Sequence, residues 1–205
     1  MSTERIGRVL RASTRGFDCG THSKHINEQH DFGAFVYAPV ANDAQTLALG
    51  LIYKVEIKDD QLISELVMGE AVPDAILRDQ RNNRLIPVEV KVLSVGYVSP
   101  HTGYVHSLPP RPPMSLSDVY PCTAEQIQHF LQTPQGDFRL DFFRILLSAS
   151  EVPSDDLLAA TIRRTAFLFE AYAHHFIVAA GKRLARDLSH DMKRLAHVLA
   201  LIDPS

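Results

Sequence analysis

Leu49-Gly50-Leu51-Ile52-Tyr53-Lys54-Val55-Glu56-Ile57 carries an apolar side chain at every second position: Leu49, Leu51, Tyr53, Val55 and Ile57. Gly50, Ile52, Lys54 and Glu56 stand between them, and Lys58 follows. A period of two sends successive side chains to opposite faces, so the stretch predicts a strand with one face on a core and the other mostly toward water. Downstream, Ile86, Val88, Val90 and Val92 repeat the pattern, after which the apolar set changes phase to Leu93, Val95 and Tyr97. Such a change predicts a bulge or sharp bend, by which barrels and sandwiches turn corners. Upstream, the segment holding Ile6, Val9 and Leu10 and the run from Phe32 to Val40 read as further strands, separated by a polar stretch from Ser13 to Gln29. Helix formers over Gln61 to Gly69 and Pro73 to Arg81 predict two short helices, Pro73 being suited to a first helical position.

Leu108-Pro109-Pro110-Arg111-Pro112-Pro113 lacks most of the backbone donors that a ladder needs and is expected to be extended. It reads as the boundary between a β domain over residues 1–113 and a helical domain over 121–205. In the second part, Thr123 offers a cap to a helix running to Leu131, and Asp137 to Ala149 is amphipathic. Ser154 followed by Asp155 and Asp156 begins a long helix. Leu158, Ile162, Thr165, Phe169, Tyr172, Phe176 and Ala180 recur at three- and four-residue spacing, and Leu184, Leu188, Met192, Leu195 and Leu199 continue the stripe beyond Gly181. Gly181 is expected to break the run into a long helix near 154–180 and a final one near 182–201. The fold class predicted is α+β, an antiparallel, Greek-key-like barrel followed by helices.

A chain of 205 residues can bury a core without disulfide or metal staples. Its 45% apolar and 22% charged content, with no apolar run of the roughly 20 residues that span a bilayer, predicts a soluble protein without a membrane partner. The first fifteen residues show no apolar signal-peptide region, so the cytoplasm is the expected compartment. Cys19 and Cys122 suit reduced thiols there, with a single bridge as the alternative. A net charge of −3 argues against a broadly basic nucleic-acid-binding protein.

Motifs for common chemistries are missing. Gly181-Lys182 has neither the upstream glycine nor the following hydroxyl of a phosphate-binding loop. There is no His-Glu-x-x-His, Gly-x-Ser-x-Gly or Gly-x-Gly-x-x-Gly. No cofactor, metal or catalytic residue is assigned. Cys19, His22, His25 and His30 bring together ligand types that suit zinc, but at no standard spacing, and a histidine-rich polar loop is the plainer reading. His174 and His175 project about 100° apart on a helix and cannot easily share a ligand. Arg163 and Arg164 read as a solvated helix face. Lys182, Arg183, Arg186, Lys193 and Arg194 outnumber Asp187 and Asp191, a local +3 that marks them as candidate contacts to nucleic acid or a partner. The segment lacks aromatic side chains on which bases would stack, which favours a protein partner over nucleic acid.

Three segments together resemble the HAS-barrel, the small β-barrel at the N-terminus of HerA-type hexameric DNA translocases that is also found in rotary ATP synthase subunits. They are Arg5-Ile6-Gly7-Arg8-Val9-Leu10-Arg11-Ala12-Ser13, Asp31-Phe32-Gly33-Ala34-Phe35-Val36, and the strand from Leu49 to Ile57. The resemblance implies a barrel used for assembly and partner docking, in a homo-oligomer associated with a ring. After Pro113 the chain departs from that family, turning helical where the ATPase core would begin, so no ATPase activity and no catalytic residue is carried over. The expected function is a non-catalytic binding or assembly module, accessory to a HerA-type DNA-processing ATPase. The alternatives are a metal-dependent hydrolase or nuclease using the Cys19 to His30 loop, and a structural protein that self-assembles through the Leu184 to Leu199 stripe.

Overall fold

The computed structural model describes residues 4–58 and 85–203, with Met68 and Pro73 between them. Apart from those two residues, the short helices expected over 61–69 and 73–81 lie outside the described part. Seven strands follow one another as β1 (Gly7–Ser13), β2 (Gly16–His22), β3 (Phe35–Val40), β4 (Asp43–Ile57), β5 (Pro87–Ser99), β6 (Gly103–Val105) and β7 (Asp118–Pro121). Every pairing is antiparallel. Six of the strands close a barrel in the order β1, β2, β5, β4, β3, β7 and back to β1, while β6 pairs with the far end of β5. Closure leaves the six without a free edge for uncontrolled pairing. The barrel's last strand, β7, follows the proline-rich stretch, which crosses the end of β3 through Ala41 N–H to Pro112 O (2.9 Å) and Met114 N–H to Pro39 O (2.9 Å).

The barrel interior is aliphatic and filled: Ile6, Val9, Phe17, Val36, Ile52, Val88, Val90, Val92 and Val119 form one buried cluster. A second and larger core lies on the barrel's outside, where Phe35, Leu49, Leu51, Leu93 and Val95 meet the helices. The middle of β4 is therefore buried on both faces, contrary to the one-sided strand expected from its alternation. Ile52 turns inward and Leu51 outward, and only toward the strand's end does Ile57 become exposed, at 65%. The phase change on β5 has the same origin. Val88, Val90 and Val92 face the lumen, and Leu93 and Val95 occupy the opposite face where the helices cover it. No bulge lies between Val92 and Leu93. The β4/β5 register slips nearby instead, once between Leu49 and Gly50 and again between Ile52 and Lys54, and such slips curve a sheet toward closure.

The helices are α1 (Ala124–Leu131), α2 (Phe143–Leu147), α3 (Ser154–Ala166), α4 (Ala173–Asp187) and α5 (Met192–Ile202). Thr123 caps α1 reciprocally: its Oγ1 accepts from Gln126 N–H at 3.2 Å, and Gln126 Oε1 accepts from Thr123 N–H at 2.8 Å. Phe130 at the end of α1 rests on bare backbone, since a Cβ at Gly96 would lie 2.4 Å from Phe130 Cε2. Phe35, Phe130, Phe142 and Phe143 then pack edge to face or tilted, with centroids 5.0 to 6.0 Å apart.

Two expectations for the helices need correcting. Within Asp137 to Ala149, the amphipathic stretch is α-helical only over Phe143–Leu147. The long helix breaks before Gly181: α3 ends at Ala166, a 3-10 segment runs over Phe167–Tyr172, and Glu170 adopts φ 44°, ψ −113°. Thr165 Oγ1 donates back to Thr161 O at 2.7 Å, a bond that bends helices. The bend sets Phe169 and Phe176 against Phe138 at 5.0 and 5.2 Å, so tertiary packing determines where the helix ends. Gly181 sits inside α4, and the next break falls between Asp187 and Met192, where Asp191 caps α5 through Arg194 N–H. Leu184, Leu188 and Leu195 of the expected assembly stripe are buried in the chain's own core. No helix among the described residues is long and apolar enough to cross a membrane.

Candidate functional site

The histidine loop does not form a ligand cluster. Cys19 lies on β2 with its side chain in the barrel lumen, and its thiol is pushed up to about 12, by burial first and then by the charges of Asp18 and Glu89. His22 ends β2, and its ring lies 6.3 Å from that of His25. His30 is buried with both ring nitrogens engaged, Nε2 with Ile6 O (3.0 Å) and Nδ1 with Asn27 Oδ1 (3.1 Å). It thus pins the loop to the strand entering the barrel. Among the described residues, no three His, Cys, Asp or Glu side chains are placed to hold a metal ion.

Arg163 and Arg164, expected on a solvated face, both tie elements together. Arg164 donates to Asp31 Oδ2 at 2.9 Å and to Glu28 O at 3.1 Å, joining α3 to the loop before β3. Arg163 donates to Leu201 O near the end of α5. His174 and His175 stand exposed at the start of α4, beside the exposed Tyr172.

The five candidate cations divide into two classes. Arg183 is only 12% exposed, bonded to Asp187 Oδ2 at 2.6 Å and to Asp141 Oδ1 at 2.7 Å. Burial opposes its charge, but the hydrogen bonds and charges of the two carboxylates outweigh that effect and raise its pKa further. Arg194 bonds Asp155 at 2.7 Å and Ser154 Oγ at 2.9 Å, fastening α5 to the start of α3. Both are fixed in structural ion pairs and are corrected from candidate contacts to internal fasteners. Lys182, Arg186 and Lys193 are exposed, and among the described residues no carboxylate lies within ion-pair distance of them.

These three cations border an apolar surface. On α4, Ile177 and Val178 are 38% and 39% exposed; on α5, Met192 and Leu199 are 65% and 40% exposed. Gly181 lies between the two helices' contributions: a Cβ built there would meet only Leu199 Cδ2, at 3.9 Å. Helical spacing turns Ile177, Gly181 and Ala185 to one side of α4 and Lys182 and Arg186 to the next, so apolar and cationic strips run side by side.

A second polar assembly, not legible in the sequence, covers the outside of β1, β2, β4 and β5. Glu89, its side chain 7% exposed, receives Arg11, Lys58 (3.1 Å) and Lys91 (3.5 Å), while Arg11 also bonds Asp18. Burial raises the Glu89 carboxyl, but the hydrogen bond from Lys58 and the charges of Arg11 and Lys58 hold it below its ordinary value. Lys54 bonds Glu56 at 2.9 Å on the same side. Each of these carboxylates is paired with a neighbouring cation, and the pairs tie the strands together. Beside it, Arg11, Arg15, Asp18, Tyr53 and Glu151 line a cleft of about 290 Å³ whose walls carry both signs of charge. No protein-family model matches the chain, and no curated protein matches it.

Proposed function

We propose that the chain is a non-catalytic binding and assembly module, accessory to a HerA-type DNA-processing ATPase. The observation that carries this reading is the division of its surface. The barrel lumen is filled with aliphatic side chains, and one flank is sealed by the chain's own helices, which leaves the outer faces for recognition. Of these, the α4–α5 face combines exposed apolar side chains with three cations, Lys182, Arg186 and Lys193, that have no carboxylate partner among the described residues. Such a patch fits an interaction surface better than a reaction centre. The resemblance of the segments around β1, β3 and β4 to the HAS-barrel supplies the class of partner, and with it a cytoplasmic location and a homo-oligomer.

Affinity purification of the tagged chain from its own cells, with and without nuclease, followed by mass spectrometry, tests the reading. Recovery of a translocase-type ATPase after nuclease treatment is expected, and its absence from both samples would overturn the assignment. Light scattering reporting a monomer would count against the homo-oligomer.

A further inference from the structure

The α4–α5 face holds two features that the fold itself does not use. Val178, Leu199 and Met192 remain 39%, 40% and 65% exposed, and covering the apolar surface they leave in water is favourable. Beside them, Lys182, Arg186 and Lys193 face solvent, whereas Arg183 and Arg194 on the same helices are paired with Asp141 and Asp155.

We propose that this face docks an acidic amphipathic helix of a partner protein, an inference that rests on reading the chain as a binding module. Charge complementarity calls for carboxylates flanking the partner's apolar stripe, since three cations here have no carboxylate of their own among the described residues. The apolar strip calls for a packed occupant in place of a bare polyanion, because a phosphate backbone would neutralise the lysines and leave Val178 and Leu199 without contacts. A bilayer fits less well: Val178 and Leu199 are seated among their neighbours at 39% and 40% exposure, and a flat lipid surface could not reach between the helices. A helix can, because the open space at Gly181, bounded by Leu199 Cδ2, accepts one side chain of an opposing helix. This is the helix-in-groove mode, read by anchors at three- and four-residue spacing.

The test uses the full chain and a labelled synthetic peptide of about five helical turns, with leucines at i, i+4, i+7 and i+11 and glutamates on both flanks. A second peptide carries lysine at each glutamate. Fluorescence anisotropy is expected to show the acidic peptide binding at least about tenfold more tightly than its lysine counterpart. The triple variant Lys182→Glu, Arg186→Glu, Lys193→Glu should reverse that preference. Gly181→Leu, which fills the open space, should weaken the acidic peptide about tenfold with an unchanged circular dichroism spectrum. Failure of the acidic peptide to bind, equal binding of the two peptides, or competition by an oligonucleotide or by phosphatidylglycerol vesicles in the Gly181→Leu variant as well would overturn the inference. Recovery of an ATPase together with no peptide binding would remove this face and keep the module reading; peptide binding with no ATPase would keep the face and remove the assignment to a translocase-type ATPase.

Discussion

Protonation of His106 is expected to weaken the attachment of the helices to the barrel. Its ring lies 4.1 Å from that of Phe130 and 5.5 Å from that of Phe142. Nε2 donates to Phe130 O at 2.7 Å, and Nδ1 accepts from Phe142 N–H at 3.3 Å. Both nitrogens are therefore used in the neutral form. A second proton would remove the Nδ1 acceptor and place a charge among aromatic rings. Burial accordingly pushes the pKa down from 6.5 to about 4; the Phe130 carbonyl and Asp141 oppose the shift, and the charges of Arg139 and Arg183 add to it. With the folded value depressed, the unfolded chain takes up the proton first as pH falls. Stability is thus full above the unfolded value and is lost progressively between pH 6.5 and pH 4. At 1.36 kcal/mol per pKa unit the whole window is worth about 3 kcal/mol, of which about 2 kcal/mol falls between pH 7 and pH 5. That is a large share of the 5–15 kcal/mol typical of a domain. Urea unfolding followed by circular dichroism at pH 7 and pH 5 reads the effect. His106→Gln keeps a donor for Phe130 O and cannot titrate, so it should be less stable than the parent at pH 7, through lost ring packing, yet lose about 2 kcal/mol less on going to pH 5. The carboxylates held low by cations, Asp141 and Glu89, destabilise on protonation only below about pH 4.5, so their window is separate. Equal losses for parent and variant between pH 7 and pH 5 would refute the reasoning.

Glu170→Gly should raise the thermal midpoint, because φ 44°, ψ −113° strains a side-chain-bearing residue by about 1–3 kcal/mol and costs glycine little; a lower midpoint would contradict the strain. Phe130→Ala should cost about 3–5 kcal/mol in urea unfolding, since it removes the ring that seats α1 on Gly96. A loss below about 1 kcal/mol would mean that the helices are not anchored there. Cys19, buried in the lumen with its thiol pushed up to about 12, should resist Ellman's reagent in the native chain and react on unfolding. Rapid native reaction at Cys19, read in a Cys122→Ser variant, would show that the lumen admits solvent.

The strand from Leu49 to Ile57, the apolar valines of β5, the cap at Thr123 and the start of α3 at Ser154 were all legible in the sequence. Each depends on alternation, capping or, for α3, the first-turn carboxylates Asp155 and Asp156, all within a few residues of chain. What covers the outer face of β4 was not, because a leucine at position 51 is apolar whether it meets the lumen or a helix from the far half of the chain. The five cations near the C-terminus looked alike for the same reason. Arg183 reaches Asp141, 42 residues away, besides Asp187 on its own helix, and Arg194 reaches Asp155, 39 residues away, whereas Lys182, Arg186 and Lys193 reach no carboxylate among the described residues. His30 and His106 likewise take their roles from backbone carbonyls 24 residues distant. The helix break at Glu170 is set by the packing of Phe169 and Phe176 on Phe138, which outweighs the local preference that pointed to Gly181. The sequence alone determined the segments whose periodicity or capping is local, such as β4, β5 and α1, whereas β2, paired with β1 and β5 inside a stretch that reads as polar, and the ends of the longer helices depended on partners elsewhere in the chain. Tertiary structure alone decided which charges remain free for a partner, since that depends on what the distant parts of the chain have already neutralised.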